Sequence, residues 1–178
     1  MRRVIVDVDG TLWDLHTPLN KLLAKLYPGF PTGIPETWNY FEPYVSIDQF
    51  TAAVKTVHNS QLNYSPFIGA SYLFQTLSQL DLEIIVASHR EPNTAHLLAQ
   101  WLNKHELFPY STLYTGNNKL PFIQKGDIVI DDAPKTIAHS LEIGALSYYL
   151  DWPFNRQEEG SWHPNLFALA VNLAEDIK

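Results

Sequence analysis

The first predicted strand ends in acidic residues, and this feature constrains the fold more than any other. Residues 3–12 read Arg-Val-Ile-Val-Asp-Val-Asp-Gly-Thr-Leu. The β-branched run at residues 4–6 is too short for a helix and apolar enough for a buried strand of a parallel sheet. We expect this strand to cover residues 3–8. Its period of two would place Asp7 and Asp9 on one face, where the carboxylates repel unless a cation lies between them or one is protonated.

The rest of the chain alternates predicted helices and strands. Further strands are predicted at residues 82–87, 112–115, 127–130 and 145–150, and helices at residues 17–27, 46–58, 66–80, 92–105, 134–143 and 165–177. Strands that alternate with helices imply right-handed crossovers and a mainly parallel sheet. The sequence therefore predicts an α/β fold: a three-layer, Rossmann-like sheet with a small helical cap inserted after the first strand. Residues 1–14 and 78–178 would form the core, and residues 15–77 the cap.

Composition and charge exclude several classes of function. The chain has 178 residues and no cysteine, which excludes disulfides, thiolate metal sites and cysteine nucleophiles. Its net charge is −7 and its basic residues are scattered, so no broad nucleic-acid surface is expected. No apolar run approaches a membrane span and the first strand begins too close to Met1 for a signal peptide, which favours a soluble cytoplasmic protein. A homodimer is compatible with the sequence, which does not determine the oligomeric state.

Polar residues follow three predicted strands: Asp7 and Asp9, then Ser88, then the Asp131-Asp132 pair. The carboxyl ends of parallel strands lie at one edge of a sheet, so these side chains should converge. Several carboxylates in one crevice require a cation, and hard oxygen ligands favour Mg²⁺. A phosphate could then be bound by the Ser88 hydroxyl and a lysine, either Lys119 or Lys125. Alternatively, Ser88 and the aspartate pair cap the helices that follow them.

These motifs, in this order, resemble the haloacid-dehalogenase-like hydrolase superfamily over residues 3 to about 150. Asp7-Val8-Asp9-Gly10-Thr11 looks like its first motif, Ser88 its second, a lysine its third and Asp131-Asp132 its fourth. The resemblance implies that Asp7 is a nucleophile that becomes an aspartyl-phosphate, and that Asp9 is a general acid and base. It also implies Mg²⁺ bound by Asp7, the Asp9 backbone carbonyl and a carboxylate of Asp131 or Asp132. Lys119 is preferred over Lys125 as the catalytic lysine.

A closer resemblance is to the 5'(3')-deoxyribonucleotidase family. It is carried by the runs Gly-Asp-Ile-Val-Ile-Asp-Asp at residues 126–132 and Leu-Asp-Trp-Pro-Phe-Asn-Arg at residues 150–156. In that family the cap supplies aromatic side chains that stack on the base. Trp38, Tyr40 and Phe41 are the candidates here, and packing inside the cap is the alternative explanation for them.

The remaining substrate-binding candidates flank the motifs: Thr11, Ser88, His89 and Arg90. Arg90 would either clamp a phosphate or pair with Glu91 or Asp14. The seven histidines show no metal-ligand spacing and are interpreted as structural or surface residues, with substrate binding as the alternative for His89. The expected partner is a small phosphorylated molecule, first of all a deoxyribonucleoside monophosphate hydrolysed in a Mg²⁺-dependent reaction. Another phosphomonoester such as a sugar phosphate, or a non-catalytic role as a nucleotide-binding regulator, is the alternative.

Overall fold

A six-stranded parallel sheet forms the centre of the molecule in the computed structural model, which describes residues 1–90, 94–116 and 118–177. The strands are β1 (Arg3–Val6), β2 (Glu83–Ser88), β3 (Ser111–Tyr114), β4 (Ile128–Ile130), β5 (Leu146–Leu150) and β6 (Ser161–His163). Their spatial order is β3-β2-β1-β4-β5-β6, and every neighbouring pair is parallel. The strand order reverses between β1 and β4, so the ligand crevice expected of such a sheet lies at their carboxyl ends.

Six α-helices accompany these strands within the described ranges, and the last of them follows β6. They are α1 (His16–Leu26), α2 (Ile47–Asn59), α3 (Ala70–Gln79), α4 (Ala95–Lys104), α5 (Pro134–Glu142) and α6 (Leu166–Asp176). Helix α2 begins with a capping box, since Ser46 Oγ accepts a hydrogen bond from Gln49 N and Gln49 Oε1 accepts one from Ser46 N. Asn165 caps α6 in a similar way, by accepting a bond from Ala168 N at 2.9 Å.

Apolar side chains pack on both faces of the sheet, which confirms the three-layer prediction. Val4 and Val6 belong to one buried cluster and Ile5 to another, as the two-residue period of a strand requires. The larger cluster includes side chains from α3, α4 and α6: Leu73, Leu77, Leu98, Trp101, Leu166 and Leu169. The smaller cluster contains Ile5, Ala87, Ile123, Val129 and Ala145.

The segment between β1 and β2 contains α1, α2, α3 and a stretch of turns at residues 28–45, where no long element was predicted. The larger apolar cluster continues into it through the buried Phe30 and Phe41. Helix α3 packs against α6 and β2. The division into a core of residues 1–14 and 78–178 and a cap of residues 15–77 stays a prediction. Among the described residues, no helix is both long and apolar enough to cross a membrane.

Strand β1 is shorter than the predicted range of residues 3–8. Asp7 N still donates to Ile130 O of β4 at 2.8 Å, but the chain then turns, with Leu12 N donating to Val8 O at 2.8 Å. Gly10 lies in this turn at φ +80°. Because β1 ends at Val6, Asp7 and Asp9 lie beyond the strand, and the two-residue period does not determine where their side chains point.

Other element bounds also differ from the prediction. Helix α3 begins at Ala70 instead of residue 66, because Gly69 precedes it at φ +99°. Strand β6 was not predicted, since its three residues Ser-Trp-His carry no apolar run. The predicted start of the helix at residues 92–105 lies outside the described residues, and the described part of that helix begins at Ala95.

Candidate active site

Three buried carboxylates meet at the carboxyl ends of β1 and β4. Asp7, Asp131 and Asp132 each offer an oxygen, and these oxygens lie within 4.8 Å of one another. Lys119 is also buried, and its Nζ contacts Asp7 Oδ1 and, at 2.7 Å, Asp131 Oδ2. We call Asp7, Asp131, Asp132 and Lys119 the acidic group. The structure therefore places Lys119 among the carboxylates, whereas Lys125 is exposed.

Burial dominates the electrostatics of this group. It raises the pKa of Asp7 well above the ordinary value, and the nearby Lys119 charge offsets this only in part. Burial also raises the pKa of Asp132, while His16 opposes the shift. Burial lowers the pKa of Lys119, but the carboxylates of Asp131 and Asp7 outweigh it and the pKa ends above its usual value. Lys119 is therefore positively charged, and its single charge lies close to three carboxyl groups.

The acidic group fits a divalent cation. When its three carboxylates are ionised, they carry two more negative charges than Lys119 balances, and its donors are all hard oxygens. Such a set suits Mg²⁺ or Ca²⁺ better than a softer transition metal. Asp131 Oδ1 also accepts a hydrogen bond from Ala133 N at 2.9 Å. This bond does not cap α5, whose N-cap residue is Ala133 and which has no side-chain cap, so the capping role considered for the aspartate pair is wrong.

Residues 152–155 hold the backbone next to the acidic group through hydrogen bonds to carbonyl oxygens. Asn155 Nδ2 donates to Asp132 O and to Leu150 O, both at 3.1 Å, and Trp152 Nε1 donates to Gly10 O at 2.8 Å. Asp151 does not reach Lys119. It pairs with the exposed Arg156 at 2.8 Å instead.

We expect Gly10→Ala to weaken both the fold and cation binding. Gly10 has φ +80°, and an added Cβ would overlap Asp132 Oδ2. Gly126→Ala is the matched control, because Gly126 has φ +85° and open space around it. The control should lower the free energy of unfolding by about 1 kcal/mol, and Gly10→Ala by about 1 to 3 kcal/mol more. Urea unfolding and Mg²⁺ calorimetry measure the two effects; equal losses for both variants would contradict the prediction.

Asp9 points to a different set of partners. Its Oδ1 accepts hydrogen bonds from Trp13 Nε1 at 2.8 Å and Arg90 Nη2 at 2.7 Å, and its Oδ2 lies 2.9 Å from His58 Nε2. Burial raises the pKa of Asp9, but the charge of Arg90 and the contacts with His58 outweigh it and hold the pKa well below its usual value. The carboxylate of Asp9 is therefore ionised, and it lies outside the set of oxygens that could share a metal.

A cavity of about 380 Å³ opens above the acidic group. Asp7, Asp9 and Lys119 line its floor together with Asp131 and Asp132. Its walls are mostly aromatic and aliphatic: Leu15, Leu19, Pro35, Trp38, Tyr40, Phe41, Ile47, Phe50, Val54 and Phe154. The cavity combines a charged floor with apolar walls, which suits a ligand with one anionic end and one flat apolar end.

The predicted substrate-binding residues divide into two sets. Trp38, Tyr40 and His89 line the cavity, with Trp38 45% exposed and its ring 5.3 Å from that of Phe154. Burial, reinforced by the charge of Lys119, lowers the pKa of His89 to about 4, so this histidine is neutral at pH 7. Tyr40 also packs in the cap, where its hydroxyl donates to Asn20 Oδ1.

The second set is buried beside the cavity without lining it: Thr11, Ser88 and Arg90. Ser88 Oγ accepts a bond from Arg90 N at 3.4 Å, and Thr11 Oγ1 has no hydrogen-bond partner in the described part of the chain. Arg90 pairs with Asp9, and Glu91, one of its predicted partners, lies outside the described residues. The roles assigned to these residues stay predictions.

Sequence reasoning missed two histidines at this site. His16 lines the cavity 3.7 Å from Asp132 Oδ2, and neither of its ring nitrogens has a hydrogen-bond partner among the described residues. His58 lies on α2 and touches Asp9. Both stand in helical segments with no neighbouring ligand residues, so no local pattern marks them.

The sequence matches no family model, and no curated protein matches it. Several solved structures are similar to it. A haloacid-dehalogenase-like hydrolase from Streptococcus pneumoniae aligns with a TM-score of 0.69 and 16% identity, covering 100% of this chain and 99% of the other. A hydrolase from Deinococcus radiodurans with bound phosphate and sodium aligns with a TM-score of 0.65 and 16% identity, covering 98% and 96%.

A third similar structure is the D,D-heptose 1.7-bisphosphate phosphatase from B. bronchiseptica, complexed with magnesium and phosphate. It has a TM-score of 0.57 and 10% identity, and the alignment covers 99% of each chain. Identities this low show a shared fold and nothing finer. The chain therefore has the Rossmann-like fold of the haloacid-dehalogenase-like hydrolases.

Proposed function

We propose that this protein is a Mg²⁺-dependent phosphomonoesterase that acts through an aspartyl-phosphate on Asp7. One observation carries the proposal: Asp7 lies within contact of Lys119 and beside Asp131 and Asp132 on the floor of an accessible cavity. A nucleophilic carboxylate, a fixed ammonium and a cation-binding pair are what phosphoryl transfer needs, because its catalysis consists mainly of positioning and charge stabilisation.

In the first step, an oxygen of Asp7 forms a bond to phosphorus while the bond from phosphorus to the leaving oxygen breaks. Asp9 reaches the cavity and is ionised in the free protein, so it takes up the proton of the substrate's monoanionic phosphate and passes that proton to the leaving oxygen. Lys119 Nζ, held between Asp7 and Asp131, neutralises charge on the phosphoryl oxygens. The products are a free alcohol and Asp7 bearing the phosphoryl group.

In the second step, a water molecule attacks the same phosphorus atom and gives its proton to Asp9. The bond to Asp7 then breaks, and inorganic phosphate leaves with the carboxylate regenerated. Asp7, Asp131 and Asp132 would hold Mg²⁺, which supplies Lewis-acid stabilisation of phosphoryl charge. Apolar walls limit competing water around the reacting group.

The walls of the cavity favour a substrate with a flat ring. Trp38 and Phe154 meet edge to face at 5.3 Å, and Phe154 stacks on Trp152 at 6.0 Å with an interplanar angle of 8°. Aromatic faces of this kind bind heterocyclic bases by stacking. A deoxyribonucleoside monophosphate is therefore the substrate proposed first, in line with the resemblance of residues 126–132 and 150–156 to deoxyribonucleotidases.

A phosphate-release assay over a panel of esters tests this function. The panel contains dUMP, a sugar phosphate and a 3'-phosphorylated oligonucleotide, each with Mg²⁺ and with a chelator. We expect release from dUMP that exceeds the other two and stops when the metal is removed. Equal rates on all three would remove the nucleotide assignment, and no release from any ester would refute the phosphatase. Tight dUMP binding without release would favour the regulator.

We expect Trp38→Ala to raise KM for dUMP about tenfold, because one stacking contact with a base is lost. The KM for glycerol 2-phosphate, which has no ring to stack, should change little. Trp162→Ala is the matched control, since Trp162 is 58% exposed on β6 and does not line the cavity. Steady-state kinetics on both esters measures the effect. An equal rise in KM for both substrates would contradict a base-stacking role.

A further inference from the structure

The two oxygens of Asp9 are held by different parts of the molecule. Oδ1 accepts hydrogen bonds from Trp13 and Arg90, which precede and follow the large insertion between β1 and β2. Oδ2 is contacted within the described residues by His58 of α2 at 2.9 Å. His58 lines the cavity, so Oδ2 is the oxygen on the side from which a substrate enters.

The two donors to Oδ1 are themselves fixed. The Arg90 side chain is fully buried, and its Nη1 donates to the buried Gln61 Oε1 while its Nη2 donates to Asp9. Trp13 is fully buried, with its ring 5.4 Å from that of Tyr64. Because both terminal nitrogens of the guanidinium are held, Arg90 supplies a positive charge and also fixes the direction of its hydrogen bond to Asp9.

Burial also separates Arg90 from the substrate. Its side chain has 0% exposure and lines a second cavity, which shares His58 and His89 with the first, but it does not line the cavity above the acidic group. A phosphate bound beside Asp7 and Lys119 would therefore meet the cavity-lining side chains before Arg90. The observed geometry therefore favours a role in which Arg90 acts through Asp9 and does not bind the phosphate.

We propose that Arg90 is a positioning residue that, together with Trp13, fixes Oδ1 of Asp9 and so presents Oδ2 to the leaving oxygen of the substrate. His58 occupies Oδ2 in the absence of substrate and gives way to that oxygen. The inference rests on the proposed phosphatase function, in which Asp9 donates the proton to the leaving group. Misplacing a proton donor costs rate only where the leaving group needs the proton.

Leaving-group dependence therefore tests the inference. The kcat/KM is measured for p-nitrophenyl phosphate, whose phenolate leaves without a proton, and for dUMP, whose alkoxide needs one. Arg90→Gln is expected to lower kcat/KM about 100-fold on dUMP and less than about fivefold on the aryl ester. Arg90→Lys keeps the positive charge but not the forked guanidinium, so its kcat/KM on dUMP should lie between those of the wild type and Arg90→Gln. Arg156→Gln, which removes an exposed arginine–aspartate pair, should match the wild type on both.

Three outcomes overturn the inference. If Arg90 binds the phosphate, both esters lose kcat/KM equally, because they carry the same phosphoryl group. If Arg90 only stabilises the fold, the loss is again equal and follows the fraction unfolded in a thermal melt. A wild type that hydrolyses neither ester refutes the phosphatase and the inference together, a pattern distinct from the first two. Should Arg90→Gln fail to fold, Trp13→Phe removes the other Oδ1 donor and must show the same split between the esters.

Discussion

Asp7→Asn is expected to lower phosphate release about 10⁴-fold or more, the largest effect of any single substitution in this protein. An amide cannot form the acyl phosphate that the proposed reaction requires. The wild type, quenched with acid during turnover, should gain the mass of one phosphoryl group, and the variant should not. A variant that keeps more than about a hundredth of the activity would contradict the nucleophile assignment.

The loss should occur without a loss of stability. Burial raises the pKa of Asp7 above its unfolded value, so the contribution of this group to stability is complete below pH 3.8 and declines as the pH rises through the folded pKa. Asn has no such dependence. From pH 4 upward, the free energy of unfolding of the variant should therefore fall less with pH than that of the wild type. Urea unfolding at several pH values measures this difference.

Asp127→Asn is the control for removing a buried aspartate. Asp127 is buried at the start of β4 and pairs with Arg3, at the opposite end of the strand from the acidic group. The control should lose stability and keep its activity at a temperature well below its melting point. Asp7→Asn should do the reverse, and similar behaviour of the two variants would show that a buried charge, not a nucleophile, had been lost.

Lys119→Met is expected to have the second largest effect, on activity and on stability together. It removes the ammonium held between Asp7 and Asp131 and leaves three buried carboxylates without their cation. Breaking a buried ion pair by removing one partner costs about 3 kcal/mol or more in unfolding free energy. Phosphate release should fall about 10³-fold, because a preorganised charge on the phosphoryl oxygens is lost.

Two features distinguish this effect from general damage. Lowering the pH should restore part of the stability of Lys119→Met, because the pKa of Asp7 and of Asp132 is raised and these acids become neutral first. Added Mg²⁺ should also restore stability, since a bound cation replaces the missing charge. Thermal melts at pH 5 and 7, with and without Mg²⁺, measure both. Destabilisation that neither treatment relieves would contradict the electrostatic role.

Lys125→Met is the matched control and decides between the two candidate lysines. Lys125 is exposed, so its loss should change the unfolding free energy by no more than about 0.5 kcal/mol. Its phosphatase activity should stay near that of the wild type. Loss of activity in Lys125→Met, with activity kept in Lys119→Met, would reverse the assignment drawn from the contacts.

Local patterns in the chain were sufficient to predict the fold. Apolar runs such as residues 4–6 and residues 128–130 are strands because no other regular element of that length buries them. Helix α2 was predicted from residue 46 for an equally local reason, since serine is a good N-cap, and the structure adds the bond from Gln49. Strand β6 was missed because three residues with one exposed Trp162 are held only by pairing with β5.

The site was predictable only in part. Asp7 and Asp131 were identified because they end strands, and the carboxyl ends of parallel strands share one edge of the sheet. The sequence favoured Lys119 over Lys125. The contact of Lys119 with Asp131 could not be predicted, because it depends on how the loop between β3 and β4 folds. Asp151 illustrates the limit, since it follows the end of β5 and yet pairs with the exposed Arg156 instead of joining the acidic group.

The sequence by itself determined the parallel α/β fold and the meeting of its acidic strand ends, because hydrophobic periodicity and strand-end position are properties of short stretches of chain. Only the tertiary structure decided what surrounds Asp9. Trp13 reaches the carboxylate of Asp9 from the same turn, but Arg90, which is 81 residues from Asp9, and His58 of α2 reach it only through packing between segments. A contact of that kind has no local signature, since it depends on where whole helices and loops come to rest.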